Sequence, residues 1–212
     1  MSRPAEQALA DVVEGYAKLY ALDDYGHRTS AGDLAQQLID FAGEPVPEVV
    51  VDVGCGRGYG VRVLRANRIR VVAVDVVDCL DRDLLADPGV TFLRRSILDL
   101  DPGMGDWFLC VGVTSSIPDA LLPEALDRLA ACARRGGLWG HCLRGQSEIA
   151  DRAGIPSDRS IITSELVHIN EDEAANLQVQ ATIKGMMRHH LHPRHHESTI
   201  DGEWYYAKVR YG

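Results

Sequence analysis

Apolar residues recur at three- and four-residue steps at Leu9, Val12, Val13, Tyr16, Leu19 and Tyr20, which places them on one face of a helix. Ser2 stands where it can cap that helix. A second helix is predicted from Ser30, with Asp33 three residues later and Leu34, Leu38 and Phe41 facing inward. The polar stretch Asp23–Thr29 reads as the loop between them, and Gly43-Glu44-Pro45-Val46-Pro47 stops the second helix. The period then changes. Val49–Val53 is a short, nearly continuous apolar run, as in a strand covered on both faces; Gly60 to Asn67 reads as a helix and Arg70 to Asp75 as a second such strand. Thr91-Phe92-Leu93 and Trp107–Val111 are further strands. Pro123 suits the first turn of a helix carrying Leu126, Leu129 and Ala130, with Arg134 and Arg135 in its last turn and Gly136-Gly137 beyond it. Leu138 to Leu143 is the next predicted strand.

Strands alternating with helices over short connections predict right-handed crossovers, and hence an α/β, Rossmann-like, mostly parallel sheet with helices on both faces. Ligands of such sheets sit at the carboxyl ends of the strands. The last sixty residues differ: Asn170 and Glu173 suggest a capping box, Leu177, Val179, Ala181 and Ile183 alternate with polar residues as in a strand, and Trp204 to Arg210 reads as a final strand, expected antiparallel. The expected organisation of residues 1–212 is one domain: a helical cap over 1–45, a cofactor-binding core over 49–143, and a substrate-side insert with the final strands over 144–212.

The chemistry concentrates where the first predicted strand runs into Gly54-Cys55-Gly56-Arg57-Gly58 and then a helix. Glycines suit a place where ligand must touch backbone and where a tight turn demands positive φ. Twenty-one residues after Gly54, Asp75 ends the next strand, where a carboxylate can accept hydrogen bonds from both hydroxyls of a ribose. The dinucleotide fingerprint would read Gly-x-Gly-x-x-Gly; here Gly60 is displaced from its third position, and Asp52 stands two residues ahead of the first glycine. A carboxylate there repels a pyrophosphate and attracts an ammonium or sulfonium, which favours S-adenosyl-L-methionine over NAD.

These segments resemble the class I S-adenosylmethionine-dependent methyltransferases, whose first motif is similar to Val51-Asp52-Val53-Gly54-Cys55-Gly56-Arg57-Gly58. The resemblance spans about residues 49 to 143, with Val71–Asp75 as second motif, Asp106–Val111 as the fourth strand, and Ile117-Pro118-Asp119, Leu121–Leu126 and Arg134–Gly137 as the following loop, helix and glycine turn. It implies that Asp52, Gly54, Cys55, Gly56 and Gly58 face the methionine part of the cofactor and Asp75, with Val76, its ribose. Ser96 and Ile97 would flank the adenine, and Val111 would close the site at the fourth strand. Many relatives carry Asp at the position of Ser96. The resemblance also assigns a substrate role to Thr114 and Ser115, where many small-molecule relatives have a Glu-His pair. Tyr25 and Arg28 of the amino-terminal loop are placed to close over cofactor or substrate, and His141 and Tyr25 are the candidate bases.

Composition narrows the acceptor. The chain has 212 residues, 46% hydrophobic and 25% charged, with net charge -9, and residues 1 to 50 hold nine acidic side chains against three basic ones. No basic stripe of the kind that binds long nucleic acid is visible, although 19 of the 22 basic residues are arginines, which suit phosphate. No run is long and apolar enough for a membrane span, and the first residues lack a signal peptide's apolar core, so a cytoplasmic protein is expected. The five cysteines form no Cys-x-x-Cys pair and read as reduced thiols. The segment after Val111 has neither the Asn/Asp-Pro-Pro-Tyr/Phe motif of base-amino methylation nor the cysteine after proline of cytosine C5 methylation, and a Lys-Asp-Lys-Glu tetrad is missing. A small-molecule acceptor methylated on O or N is the leading expectation. An RNA or DNA acceptor, or a non-catalytic S-adenosylmethionine-binding module, are the alternatives. His189, His190, His192, His195 and His196 crowd around Pro193 between two predicted strands, readable as an exposed hairpin loop, a substrate contact or proton shuttle, or a metal site that no nearby Cys or Asp completes.

Overall fold

The computed structural model describes residues 3–21, 30–118, 120–142, 173–201 and 204–212. Seven strands form one sheet in the order β3-β2-β1-β4-β5-β7-β6: β1 Val49–Val53, β2 Arg70–Asp75, β3 Val90–Arg94, β4 Gly105–Val111, β5 Ala133–Cys142, β6 His195–Asp201 and β7 Trp204–Arg210. The first five run parallel, and β7 pairs antiparallel with both β5 and β6. The chain steps from β1 outward through β2 to β3, then returns to place β4 on the other side of β1. This reversal opens a crevice beyond the carboxyl ends of β1 and β4.

Among the described residues the helices are α1 Arg3–Tyr20, α2 Ser30–Ala42, α3 Tyr59–Ala66, α4 Arg82–Leu85, α5 Leu122–Cys132 and α6 Glu173–Leu191. Because β1 and β4 are covered on both faces, their residues feed two apolar layers. Val51, Val53, Phe108 and Cys110 pack toward α5 and α6, and Val50, Trp107 and Leu109 pack toward α2 and α3. No described helix is long and apolar enough to cross a membrane.

Two segments depart from the sequence expectation. α5 stops at Cys132, and Arg134, Arg135, Gly136 and Gly137 belong to β5 rather than to a helix end and turn. Pairing with β4 recruits them: Trp107 lies opposite Gly136 and Phe108 opposite Gly137, where a Cβ would collide with the Phe108 ring. Arg134 is held by Asp106 at 2.6 Å and Arg135 lies 5.4 Å from the centre of the Trp107 ring. The stretch from Leu177 to Ile183, read as alternating, lies within α6. There the four-residue repeat of Ile183, Met187 and Leu191, all buried, outweighs the two-residue alternation.

The histidines therefore do not share one loop. His189 and His190 end α6, His192 and Pro193 link it to β6, and His195 and His196 lie on β6. Among the described residues no set of three His, Cys, Asp or Glu side chains converges as metal ligands. Ser2, Tyr25, Arg28, Asp119, Leu143 and Asn170, and the segment 144–172, lie outside the described residues.

Candidate functional site

β1 ends at Val53 and the chain turns through Gly54, Gly56 and Gly58 at φ 75°, 53° and 96°, conformations that residues with a Cβ rarely adopt. The turn is tied to β2: the N–H groups of Gly54 and Cys55 donate to the Val74 carbonyl at 2.7 and 3.1 Å. Gly56 N–H donates to Asp75 Oδ2 at 3.0 Å, and Val77 N–H to Oδ1 at 3.1 Å. The Val76 N–H and the Cys79 thiol also donate to this carboxylate. Burial raises the Asp75 pKa, and the backbone donors oppose that rise.

Asp52 sits inside the same crevice, 5% exposed, and its pKa is pushed up to about 7 by burial and by the negative charge of Asp75. The bare Cα of Gly60, in the first turn of α3, makes room for it: a Cβ there would stand 2.9 Å from Asp52 Oδ2. Two carboxylates in a low-dielectric cleft share a field that rewards a cation.

The cleft encloses about 480 Å³ beyond the strand ends. Asp52, Gly54, Cys55, Gly56 and Asp75 line it, as do Val76, Ser96, Ile97 and Val111. Ser96 Oγ accepts from Leu98 N–H at 3.2 Å and so starts the short turn that carries buried Ile97. Gly58 is not on the lining; it packs against α4, where a Cβ would overlap Leu84 and come within 2.7 Å of Leu80.

Thr114, Ser115 and His141, expected at the substrate, lie behind the wall. Thr114 Oγ1 accepts from Trp139 Nε1 at 2.9 Å and meets His141 Nδ1 at 3.0 Å. Ser115 Oγ donates to the Gly112 carbonyl at 2.9 Å. Burial lowers the His141 pKa to about 4, so the ring is neutral at ordinary pH. Ser116, next along the chain, does reach the cleft, its Oγ 2.8 Å from Tyr16 Oη.

Sequence reasoning missed the other side of the cleft. The α1 stripe, read as core, supplies Leu9, Val12, Val13, Tyr16 and Tyr20 to the lining, and β7 supplies Trp204 and Tyr206. A helix stripe facing a cavity has the same periodicity as one facing a core, so only the two tyrosines in it hinted at a wet boundary.

Residues 14–110 match the model of the FtsJ-like methyltransferase family. No curated protein matches the chain. Among solved structures, the 1,6-didemethyltoxoflavin-N1-methyltransferase of Burkholderia thailandensis, bound to 1,6-didemethyltoxoflavin and S-adenosylhomocysteine, superposes at TM-score 0.67 with 18% identity, over 99% of this chain and 90% of that one. The N-methyltransferase NodS of Bradyrhizobium japonicum with S-adenosylhomocysteine gives 0.54 and 12%, over 97% of both chains. Magnesium protoporphyrin IX methyltransferase of Synechocystis with bound S-adenosylmethionine gives 0.51 and 13%, over 90% of this chain and 88% of that one. At such identities the likeness is one of fold. The family model spans the glycine loop and its carboxylates, and the sheet order around them is that of the Rossmann-like methyltransferase fold.

Proposed function

We propose that the protein methylates an oxygen or nitrogen of a small-molecule acceptor. The observation that carries this reading is the cleft, which runs from the buried Asp52 and Asp75 to an end built of hydroxyls and aromatic rings. Its volume of about 480 Å³ is of the size of small-molecule sites, which span ~300–1,000 Å³. Arg57 and Arg95 are the cations among the described lining residues; Arg57 donates to the Tyr20 carbonyl at 3.2 Å and Arg95 pairs with Asp101 at 2.7 Å. A polyanion would find little there. The neighbours whose names specify a toxoflavin precursor and a magnesium porphyrin are small-molecule enzymes on the same fold, which agrees with this reading.

The residues present fit the donor. The glycine turn is a cradle that a Cβ at Gly56 would obstruct, coming 2.9 Å from the Tyr20 hydroxyl, and Asp75 would hold the ribose while its backbone donors fix its orientation. Asp52 would face the cationic methionine portion, and Ser96 and Ile97 the adenine. S-adenosylmethionine, when bound, would supply a methyl group to the acceptor's lone pair, the S–C electron pair returning to sulfur and any proton on the accepting atom leaving to solvent. The protein's task is alignment and exclusion of water, and no general base is required on the lining. The cap, core and insert division of the chain follows from the same proposal, with α1 covering the acceptor.

The test is S-adenosylhomocysteine formation with fractionated extract. Formation with the small-molecule fraction, insensitive to salt, is expected. Formation only with the RNA or DNA fraction and a steep salt dependence would replace this acceptor class by nucleic acid, and formation with no fraction would favour a non-catalytic module.

A further inference from the structure

Asp75 accepts from the N–H groups of Gly56 and Val77 at 3.0 and 3.1 Å, and from that of Val76. A side chain joins these backbone donors: the Cys79 thiol, in the segment between β2 and α4. Cys79 is not among the residues that line the cleft, so it bears on a ligand there only through Asp75. Burial and the negative charge of Asp75 push its pKa up, which keeps the proton on sulfur for donation. The sulfur in turn accepts from the Tyr20 hydroxyl, at the end of α1. That hydroxyl lies over Gly56, 2.9 Å from where a Cβ would stand, and Arg57 donates to the Tyr20 carbonyl at 3.2 Å. The last turn of α1, the glycine turn and the segment after β2 therefore meet at one carboxylate.

We propose that Cys79 is a positioning residue of the donor site: its thiol, oriented by the Tyr20 hydroxyl, holds the Asp75 carboxylate in the orientation that receives the ribose hydroxyls. The proposal rests on the methyltransferase reading above and adds to it a residue behind the lining, through which the end of α1 bears on donor affinity. The torsion that sets the plane of an Asp carboxylate is broad, so the donors around it decide which way its oxygens face. The backbone donors are set by the glycine turn and by the residues that follow Asp75. The thiol is set by Tyr20, a residue of another element. Without it the carboxylate gains freedom that binding must remove, and that ordering lowers affinity for a ligand the carboxylate contacts. The sulfur keeps its proton throughout and forms no bond to the ligand.

Calorimetry on the full chain tests it with two ligands, S-adenosylhomocysteine and the analogue lacking both ribose hydroxyls. Cys79→Ala and Cys79→Val remove the donor, the second with little change in volume, and Cys79→Ser restores one. Both donor-less variants are expected to bind S-adenosylhomocysteine about five- to tenfold more weakly than the wild type, and the analogue within about twofold of it. Cys79→Ser should stay within about twofold of the wild type for both ligands. Tyr20→Phe should weaken S-adenosylhomocysteine binding in the wild type and have less effect in the Cys79→Ala background, since the two side chains act through one chain of hydrogen bonds. An equal loss for both ligands, no loss in Cys79→Ala and Cys79→Val, or a Cys79→Ser variant as weak as Cys79→Ala would overturn the positioning role while leaving the donor site standing. So would the unfolding of both donor-less variants, which would make the thiol a part of the fold alone, or an undiminished effect of Tyr20→Phe in the Cys79→Ala background. Failure of the wild type to bind S-adenosylhomocysteine overturns the methyltransferase reading and the role of Cys79 with it.

Discussion

The backbone N–H of Gly56 donates to the Asp75 carboxylate at 3.0 Å, so the glycine turn and the acid that ends the next strand are one hydrogen-bonded unit. Two features separated by nineteen residues in sequence hold each other in place. Asp52, against the same unit, carries the electrostatic consequence.

Burial and the negative charge of Asp75 push the Asp52 pKa up from the ordinary 3.8 of an aspartate to about 7. Between about pH 4 and about pH 7 the folded state binds more protons at this site than the unfolded state does, so its contribution makes stability fall as pH rises through that window. Asp52→Asn should therefore be more stable than wild type at about pH 8, by on the order of a few kcal/mol, with the gain vanishing near pH 4 or below. His141, lowered to about 4, works in the opposite sense but is common to both proteins. Urea denaturation across pH measures the difference, and a gain that grows toward acid would contradict the assignment.

The same carboxylate should distinguish the sulfonium of S-adenosylmethionine from the neutral thioether of S-adenosylhomocysteine. As pH passes through about 7, Asp52 ionises and the preference for the sulfonium should grow by several-fold. Calorimetric titrations with both ligands at about pH 6 and about pH 8 read this, and Asp52→Asn should flatten the trend.

Gly60→Ala would usually strengthen a helix by about 1 kcal/mol. Here the added methyl presses on Asp52 Oδ2 at 2.9 Å and Leu109 Cδ2 at 3.0 Å. The expected result is a folded protein with S-adenosylmethionine affinity weakened by about tenfold. Unaltered affinity would mean that Asp52 does not contact the ligand.

Thr114 and Ser116, two residues apart, should fail differently. Thr114→Val strands the Trp139 indole N–H and His141, and should cost about 1–3 kcal/mol of stability in denaturant titration. Ser116→Ala should leave stability within about 0.5 kcal/mol and raise the acceptor KM. The reverse pattern would return Thr114 to the substrate.

Much of this fold is written in the apolar runs. Val49–Val53, Arg70–Asp75 and Trp107–Val111 are strands because both of their faces are covered, and a fully covered strand leaves a continuous signature. The α6 segment was harder: Leu177 to Ile183 satisfies a two-residue period locally, and its helical period emerges only with Met187 and Leu191, which pack in the same core as α5. At the site, Asp52, Gly54, Gly56 and Asp75 were legible because their residue types are demanded by turn geometry and charge. Thr114, Ser115 and His141 look like site residues in sequence, yet they satisfy one another or the backbone inside the wall. Trp204 and Tyr206 were hidden for the converse reason, since alternating aromatic residues on a final strand read equally well as core.

A calorimetric titration of S-adenosylmethionine into the wild type and Asp75→Ala tests the donor site most directly. One saturable site is expected in the wild type and affinity lower by at least about tenfold in the variant, since charge-assisted hydrogen bonds are worth about 1.5–3 kcal/mol. Absence of binding to the wild type, or an equal Kd for the two proteins, would contradict it.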